Sequence, residues 1–280
     1  MNLSDLPSLR ESLTAQGLLA NKGFGQHFLL DLNITRKIAR LAGPLEDVAV
    51  IEVGPGPGGL TRALLETGAA HVIAVEKDRR FVPLLAELGE AAEGRLTVIE
   101  GDALAVDEAA LLAAHAPGRP VRIVANLPYN VATPLLIKWL TGQTAIASMT
   151  LMFQKEVAER IIAPVDGQAY GRLAVIAQAT CEAQVVMDVP ARAFTPPPKV
   201  DSAVVRLTPL AERPSDARLD ALQTLTAAAF GQRRKMLRAS LKALGGETLI
   251  EAAGLDPQAR AETVDVSGFL RLADAWLAAR

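Results

Sequence analysis

Residues 48–59, Val-Ala-Val-Ile-Glu52-Val-Gly54-Pro-Gly56-Pro-Gly58-Gly59, decide the fold. A short apolar run ends in a glycine-rich loop, and the helical pattern LTRALLETG follows until Gly68 stops it. Glycines are needed where a backbone must come close to a ligand, and a following helix turns its first amides toward that ligand. Nicotinamide enzymes share this strand–loop–helix arrangement, and a plain tight turn would use the same glycines. The surrounding sequence has to separate these readings.

Working outward, HVIAVE (71–76), RLTVIE (95–100) and VRIVAN (121–126) repeat the apolar run, with helical stretches around 79–88 and 108–114 between them. Strands alternating with helices predict a parallel sheet covered on both faces, hence an α/β fold. Near-continuous apolar strands are what such burial requires. ASMTLMF (147–153) reads as a further strand and QKEVAERII as the start of a helix. GRLAVIAQATC (171–181) reads as a helix or a long apolar element. AQVVMDV (183–189) and DSAVVRL (201–207) flank a proline-rich stretch, which suggests an antiparallel pair at one sheet edge. Beyond Pro209 the pattern is helical, in LQTLTAAAF, RKMLRASLKAL and GFLRLADAWLAA. Domains are therefore expected at 1–208 and 209–280.

Composition bounds the chemistry. The 280 residues are 50% hydrophobic but only 4% aromatic, so the core is built from Ala, Leu and Val. A single cysteine, Cys181, excludes a disulfide framework and a thiolate cluster. His27, His71 and His115 are too scattered for ligand spacing, so no metal is expected. No positively charged flank precedes an apolar run, and no stretch approaches the roughly 20 apolar residues that span a bilayer. A cytoplasmic protein without a membrane partner is expected. The formal charge is −2, yet residues 192–242 hold ten basic side chains against four acidic ones. Such segregation points to a polyanionic partner, although a solvated helical face has the same composition.

Each strand end adds one functional group. Glu76 can accept hydrogen bonds from both hydroxyls of a ribose, and Asp102, in Gly-Asp-Ala-Leu, can take the exocyclic amine of an adenine. Asn126-Leu127-Pro128-Tyr129 follows the fourth strand. The lone pair of adenine N6 is delocalised into its ring, so this nitrogen is a poor nucleophile. The Asn126 amide oxygen and the Leu127 carbonyl can each accept one N–H bond and aim that lone pair at a methyl donor. Pro128 stiffens the turn, and Tyr129 can stack on an extruded base. An ordinary turn also uses Asn and Pro. However, the chain has only two tyrosines, and no asparagine lies between Asn33 and Asn126. In Phe194-Thr-Pro-Pro-Pro-Lys199-Val-Asp201-Ser202 a proline run makes a stiff loop. That loop is expected to hold Phe194 as the opposite face of a base clamp, with Lys199 toward phosphate; a linker or a core phenylalanine are the bland alternatives.

Together these stretches resemble the rRNA adenine N6-dimethyltransferase family, in particular its bacterial KsgA type. The likeness also takes in residues 25–31, Gln154–Val157, Ala169–Leu173 and Gln232–Lys235. It implies a Rossmann-like, seven-stranded class I methyltransferase sheet with a small α-helical C-terminal domain. The implied reaction transfers methyl groups from S-adenosylmethionine to two adjacent adenosines near the 3′ end of 16S rRNA, in an immature 30S subunit. The protein itself is expected to act as a monomer. The resemblance places cofactor contacts on His27, Leu29, Gly54, Glu76, Asp102 and Asn126, and Gly56 of the glycine loop is expected to join them. His27 stands where the family often has asparagine; imidazole still donates a hydrogen bond but is bulkier and can protonate. RNA contacts are expected at Lys199, Arg233, Arg234, Lys235 and Arg238.

Overall fold

The computed structural model describes residues 3–18, 27–232 and 234–280; Arg233 lies outside them, as do Gly25 and Gln26 of the family-like N-terminal stretch. The chain opens with α1 (Leu9–Ala15), whose N-cap Ser8 and Glu11 form a capping box, then β1 (Phe28–Leu29) and α2 (Leu32–Leu41). Strand β2 (Ala49–Val53), α3 (Gly59–Glu66), β3 (His71–Glu76), α4 (Val82–Ala91), β4 (Leu96–Glu100), α5 (Glu108–His115) and β5 (Val121–Asn126) follow in alternation. Next come α6 (Tyr129–Thr141), β6 (Ser148–Gln154), α7 (Lys155–Ile161), α8 (Arg172–Thr180), β7 (Cys181–Val189), β8 (Phe194–Thr195) and β9 (Ser202–Pro209). The remaining elements are α9 (Asp216–Gly231), α10 (Leu237–Ser240), α11 (Gly246–Ala252) and α12 (Val266–Ala278).

Seven strands form one sheet in the order β4-β3-β2-β5-β6-β9-β7. Pairs β2–β3, β2–β5, β3–β4 and β5–β6 are parallel, as the apolar runs predict. Every residue of β2 is buried, because helices cover both faces. Strand order reverses beside β2, so the glycine loop lies at the topological switch point, where open α/β sheets bind ligands. β9 runs antiparallel to β6 and separates it from β7 at the sheet edge. A separate two-residue ladder, Phe28↔Thr195 and Leu29↔Phe194, joins β1 to β8.

The chain divides into two compact units. The first contains the chain up to Leu135 with Thr144–Ala158 and Val185–Leu207. The second contains Leu136–Gln143, Glu159–Gln184 and Thr208–Arg280, so it recruits segments upstream of residue 209 as well as the helical C-terminal part. Its core is built from Tyr170, Val175, Leu222, Leu225, Phe269 and their neighbours, and the Tyr170 hydroxyl donates to the Val264 carbonyl at 2.9 Å. The apolar stretch 171–181 thus resolves into the helix α8 and the first residue of β7.

The stretch RKMLRASLKAL does not form one helix. The Leu237 and Arg238 amides donate to the carbonyls of Ala259 and Pro257, which ends any continuation upstream of α10. Downstream, Gly245 and Gly246 adopt φ of 126° and 57°, closing the stretch. Periodicity alone carried no sign of these long-range amide partners.

Candidate active site

A cavity of about 210 Å³ opens at the carboxyl ends of the parallel strands of the first unit. His27, Leu29, Gly54, Gly56, Glu76, Asp102 and Asn126 to Tyr129 all line it. The sequence-derived residues of three strand ends and of the Asn-Leu-Pro-Tyr turn therefore converge on one space.

The glycines allow this convergence. Gly54 has φ +67°, and a Cβ there would lie 3.2 Å from Cδ of Pro128. The turn after β5 thus sits directly over the loop after β2. At Gly59 a Cβ would come within 2.9 Å of the Leu29 carbonyl and 2.8 Å of the Leu9 side chain. The start of α3 is therefore packed against the N-terminal segment too closely for any side chain.

Glu76 ends β3 and is held by backbone donors: the Gly56 amide donates to its Oε2 at 2.9 Å, and the Asp78 amide to its Oε1 at 2.7 Å. Burial raises its pKa, and these amides offset part of the rise. A carboxylate has roughly four lone-pair sites, which leaves acceptor capacity for two ribose hydroxyls. Asp102 accepts from the Leu104 amide at 3.0 Å and pairs with Lys77 at 2.8 Å, so its orientation is fixed from both sides. Phe28, whose ring lies 3.3 Å from a Cβ built at Gly56, forms part of the same wall.

Tyr129 is held on two sides. Its hydroxyl and the Ser202 hydroxyl share a hydrogen bond at 2.7 Å, and its ring stacks on His27 with centroids 5.7 Å apart and 29° between planes. Burial raises its pKa, while Ser202 lowers it by a smaller amount. His27 Nδ1 lies 2.8 Å from the Pro196 carbonyl, which can only accept, so Nδ1 carries the proton. The proline loop is closed at its base by Asp201, whose carboxylate accepts from the Ala191 amide at 2.8 Å.

Phe194 requires a correction. It is 3% exposed, packs in the core cluster with Leu29, Ile38, Met152 and Val204, and is not among the residues lining the cavity. Its pairing with Leu29 draws the ring inward, so it anchors the loop and presents no face to a base. Lys199 is exposed on the first unit; Arg234, Lys235 and Arg238 are exposed on the second. Sequence reading assigned no role to Ser202, Lys77 or Phe28. Ser202 belongs to the proline stretch, but its partner Tyr129 lies 73 residues away in sequence.

Gly54, Glu76 and Asp102 bring the glycine-loop backbone and two carboxylates from consecutive strand ends to one cavity. The cradle at Gly54 and Gly56, which side chains would fill, fits a ligand that approaches the backbone closely, and the buried Glu52 carboxyl in the same lining fits one that bears a cation. The Asn-Leu-Pro-Tyr turn lines the same cavity, the arrangement expected of a methyltransferase that works on an exocyclic amine.

The ribosomal RNA adenine dimethylase family pattern matches residues 17–277. The chain belongs to that family: it is an S-adenosylmethionine-dependent enzyme that dimethylates adenine in ribosomal RNA. Ribosomal RNA small subunit methyltransferase A of Phenylobacterium zucineum (strain HLK1) is 73% identical over 280 residues, covering 100% of this chain and 96% of that one. Its namesake in Caulobacter vibrioides is 67% identical, covering 92% of this chain and 98% of the relative. A dimethyladenosine transferase from Plasmodium falciparum is similar in structure, with a TM-score of 0.71 at 28% identity, covering 88% of this chain and 96% of that one. The 23S rRNA methyltransferase ErmE gives 0.65 at 28% identity, covering 89% and 98%.

Proposed function

We propose that this enzyme modifies the small ribosomal subunit, transferring methyl groups to N6 of two adjacent adenosines near the 3′ end of 16S rRNA during late assembly in the cytoplasm. The observation that carries the reading is the convergence of residues 126–129 with Gly54, Glu76 and Asp102 on one cavity. The full-length likeness to proteins named small subunit methyltransferase A supports the choice of subunit.

S-adenosylmethionine, when bound, supplies an electrophilic methyl group. Gly54 and Gly56 let backbone amides close on it, Glu76 takes the ribose hydroxyls, and Asp102 takes the adenine amine. His27 and Leu29 close the cavity from the N-terminal side. Asn126 and the Leu127 carbonyl accept the two N–H bonds of the target amine and hold its lone pair in line with the donor. Orientation of this kind lowers the barrier without a strong general base. Tyr129, already fixed by Ser202 and His27, provides the stacking platform for the extruded base. Lys199, Arg234, Lys235 and Arg238 contact the RNA backbone, and Arg233 belongs to the same basic run.

Incubation with labelled S-adenosylmethionine and undermethylated small subunits tests this directly. Label is expected in dimethyladenosine of 16S rRNA. Labelled large subunits with unlabelled small ones would redirect the substrate assignment.

A further inference from the structure

The imidazole of His27 spends its hydrogen bond in an unexpected place. β1 and β8 pair Phe28 with Thr195 and Leu29 with Phe194. One step outward, the same register sets His27 against Pro196, which has no N–H to give to a ladder. The side chain closes that end of the pair instead: Nδ1 of His27 donates to the Pro196 carbonyl at 2.8 Å. A neutral imidazole carries a single N–H, so Nε2 of this ring can only accept. The donor that the resemblance offers to the cofactor is therefore already committed to the proline loop.

That bond also fixes the plane of the ring, and the ring stacks on Tyr129 with centroids 5.7 Å apart and 29° between planes. This spacing is that of an offset aromatic pair. Both side chains line the cavity and both are half-buried. The Tyr129 hydroxyl is bonded to Ser202 at 2.7 Å. One loop thus holds Tyr129 twice, at its edge through Ser202 and at its face through Pro196 and His27. With the imidazole against one face, a single face of Tyr129 is left for an extruded base. Phe194 offers no second surface, because its ring is buried in the core.

We infer that His27 is a positioning residue for the target base and not a donor to the cofactor: it forms the outer layer of a three-layer stack, imidazole on Tyr129 on adenine. The imidazole backs the phenol ring before the base arrives, so less ordering is left to accompany capture. The target base then stacks on one aromatic face only. This inference rests on the reading of Tyr129 as the base platform.

A double-mutant cycle tests it. Wild type, His27→Asn, Tyr129→Ala and the double variant are assayed on undermethylated small subunits at saturating S-adenosylmethionine. Binding of S-adenosylhomocysteine to each is measured separately by calorimetry, which also shows that each variant is folded. His27→Asn removes the ring, keeps an amide donor, and installs the residue often found at this place in the family. In the wild-type background kcat/KM for the subunits should fall roughly three- to tenfold, the range of one aromatic pair. The Kd of S-adenosylhomocysteine should stay within about twofold, because no donor to the cofactor is lost. In the Tyr129→Ala background the same change should cost nothing further, since no ring is left to back. An equal loss in both backgrounds overturns the inference, as does an unchanged kcat/KM in the single variant. A loss of S-adenosylhomocysteine affinity as large as the loss in kcat/KM also overturns it, and returns His27 to the cofactor. Wild-type kcat/KM in Tyr129→Ala would instead remove the platform itself, and this inference with it.

Discussion

At the scale of single residues, the proposed mechanism assigns Asn126 and Tyr129 separate tasks on the target base. In that mechanism Asn126→Ala removes an acceptor for the target amine, so turnover should fall on the order of 100-fold or more while cofactor affinity changes little. Single-turnover rates and a separate binding titration distinguish the two effects. Tyr129→Phe keeps the ring and loses only the bond to Ser202, a change of about 1 kcal/mol. Tyr129→Ala loses the platform as well, and kcat/KM should drop by roughly 1–3 kcal/mol of stacking. Near-equal losses in the two variants would place the base elsewhere. Glu52 also shapes stability. Its folded pKa, about 8, is raised above the unfolded 4.5, so the folded chain holds the extra proton in that window. Stability of the cofactor-free protein should therefore fall as pH rises from about 4.5 to about 8, by up to roughly 5 kcal/mol from this group. Denaturant titrations of the wild type and Glu52→Gln across that range measure it; the variant should show a shallower decline.

At the scale of elements, the join between the β2 loop and α3 tolerates no side chain. Gly59→Ala places a methyl against the Leu29 carbonyl, which cannot retreat without disturbing β1. A loss of roughly 2 kcal/mol is expected, or a Tm about 4–8 °C lower, read by calorimetry. Elements also show what sequence can and cannot carry. The strands β2 to β6 were legible because buried parallel strands must be apolar throughout, and the glycine loop was legible because nothing else permits so close an approach. β1 and β8 left no signature, since two-residue strands have no period. For that reason Phe194 was read as a free clamp face: its partner Leu29 lies more than 160 residues away, and only the ladder between them turns the ring inward. The convergence of Asn126, Glu76 and Asp102 was legible from strand ends alone. The second hold on Tyr129 was not, because it depends on Ser202 and His27 arriving from distant parts of the chain.

At the scale of the molecule, RNA affinity should be salt-dependent, and its slope counts the phosphate contacts. Replacing Arg234, Lys235 or Arg238 with Ala should each weaken binding across sequences and flatten the salt slope by a little under one. Replacing Arg40, an exposed arginine on α2 outside the basic stretch, serves as the control. The second unit recruits 136–143 and 159–184, so an isolated 209–280 fragment lacks Tyr170 and α8 from its core. Such a fragment should show little cooperative unfolding by circular dichroism. Cys181 reports on opening of the whole: burial pushes its thiol up to about 11, so native protein should resist alkylation and react only on denaturation.

The ladder of Phe28 and Leu29 with Thr195 and Phe194 has one more consequence, and it concerns time. A nascent chain leaves the ribosome N-terminal end first, so the glycine loop and the Asn-Leu-Pro-Tyr turn emerge long before residues 194–202. Until that last third of the chain is translated, β1 has no partner strand and Tyr129 lacks its Ser202 latch. The enzyme's precursor thus carries its cofactor cradle early and gains a finished wall only when synthesis is mostly over.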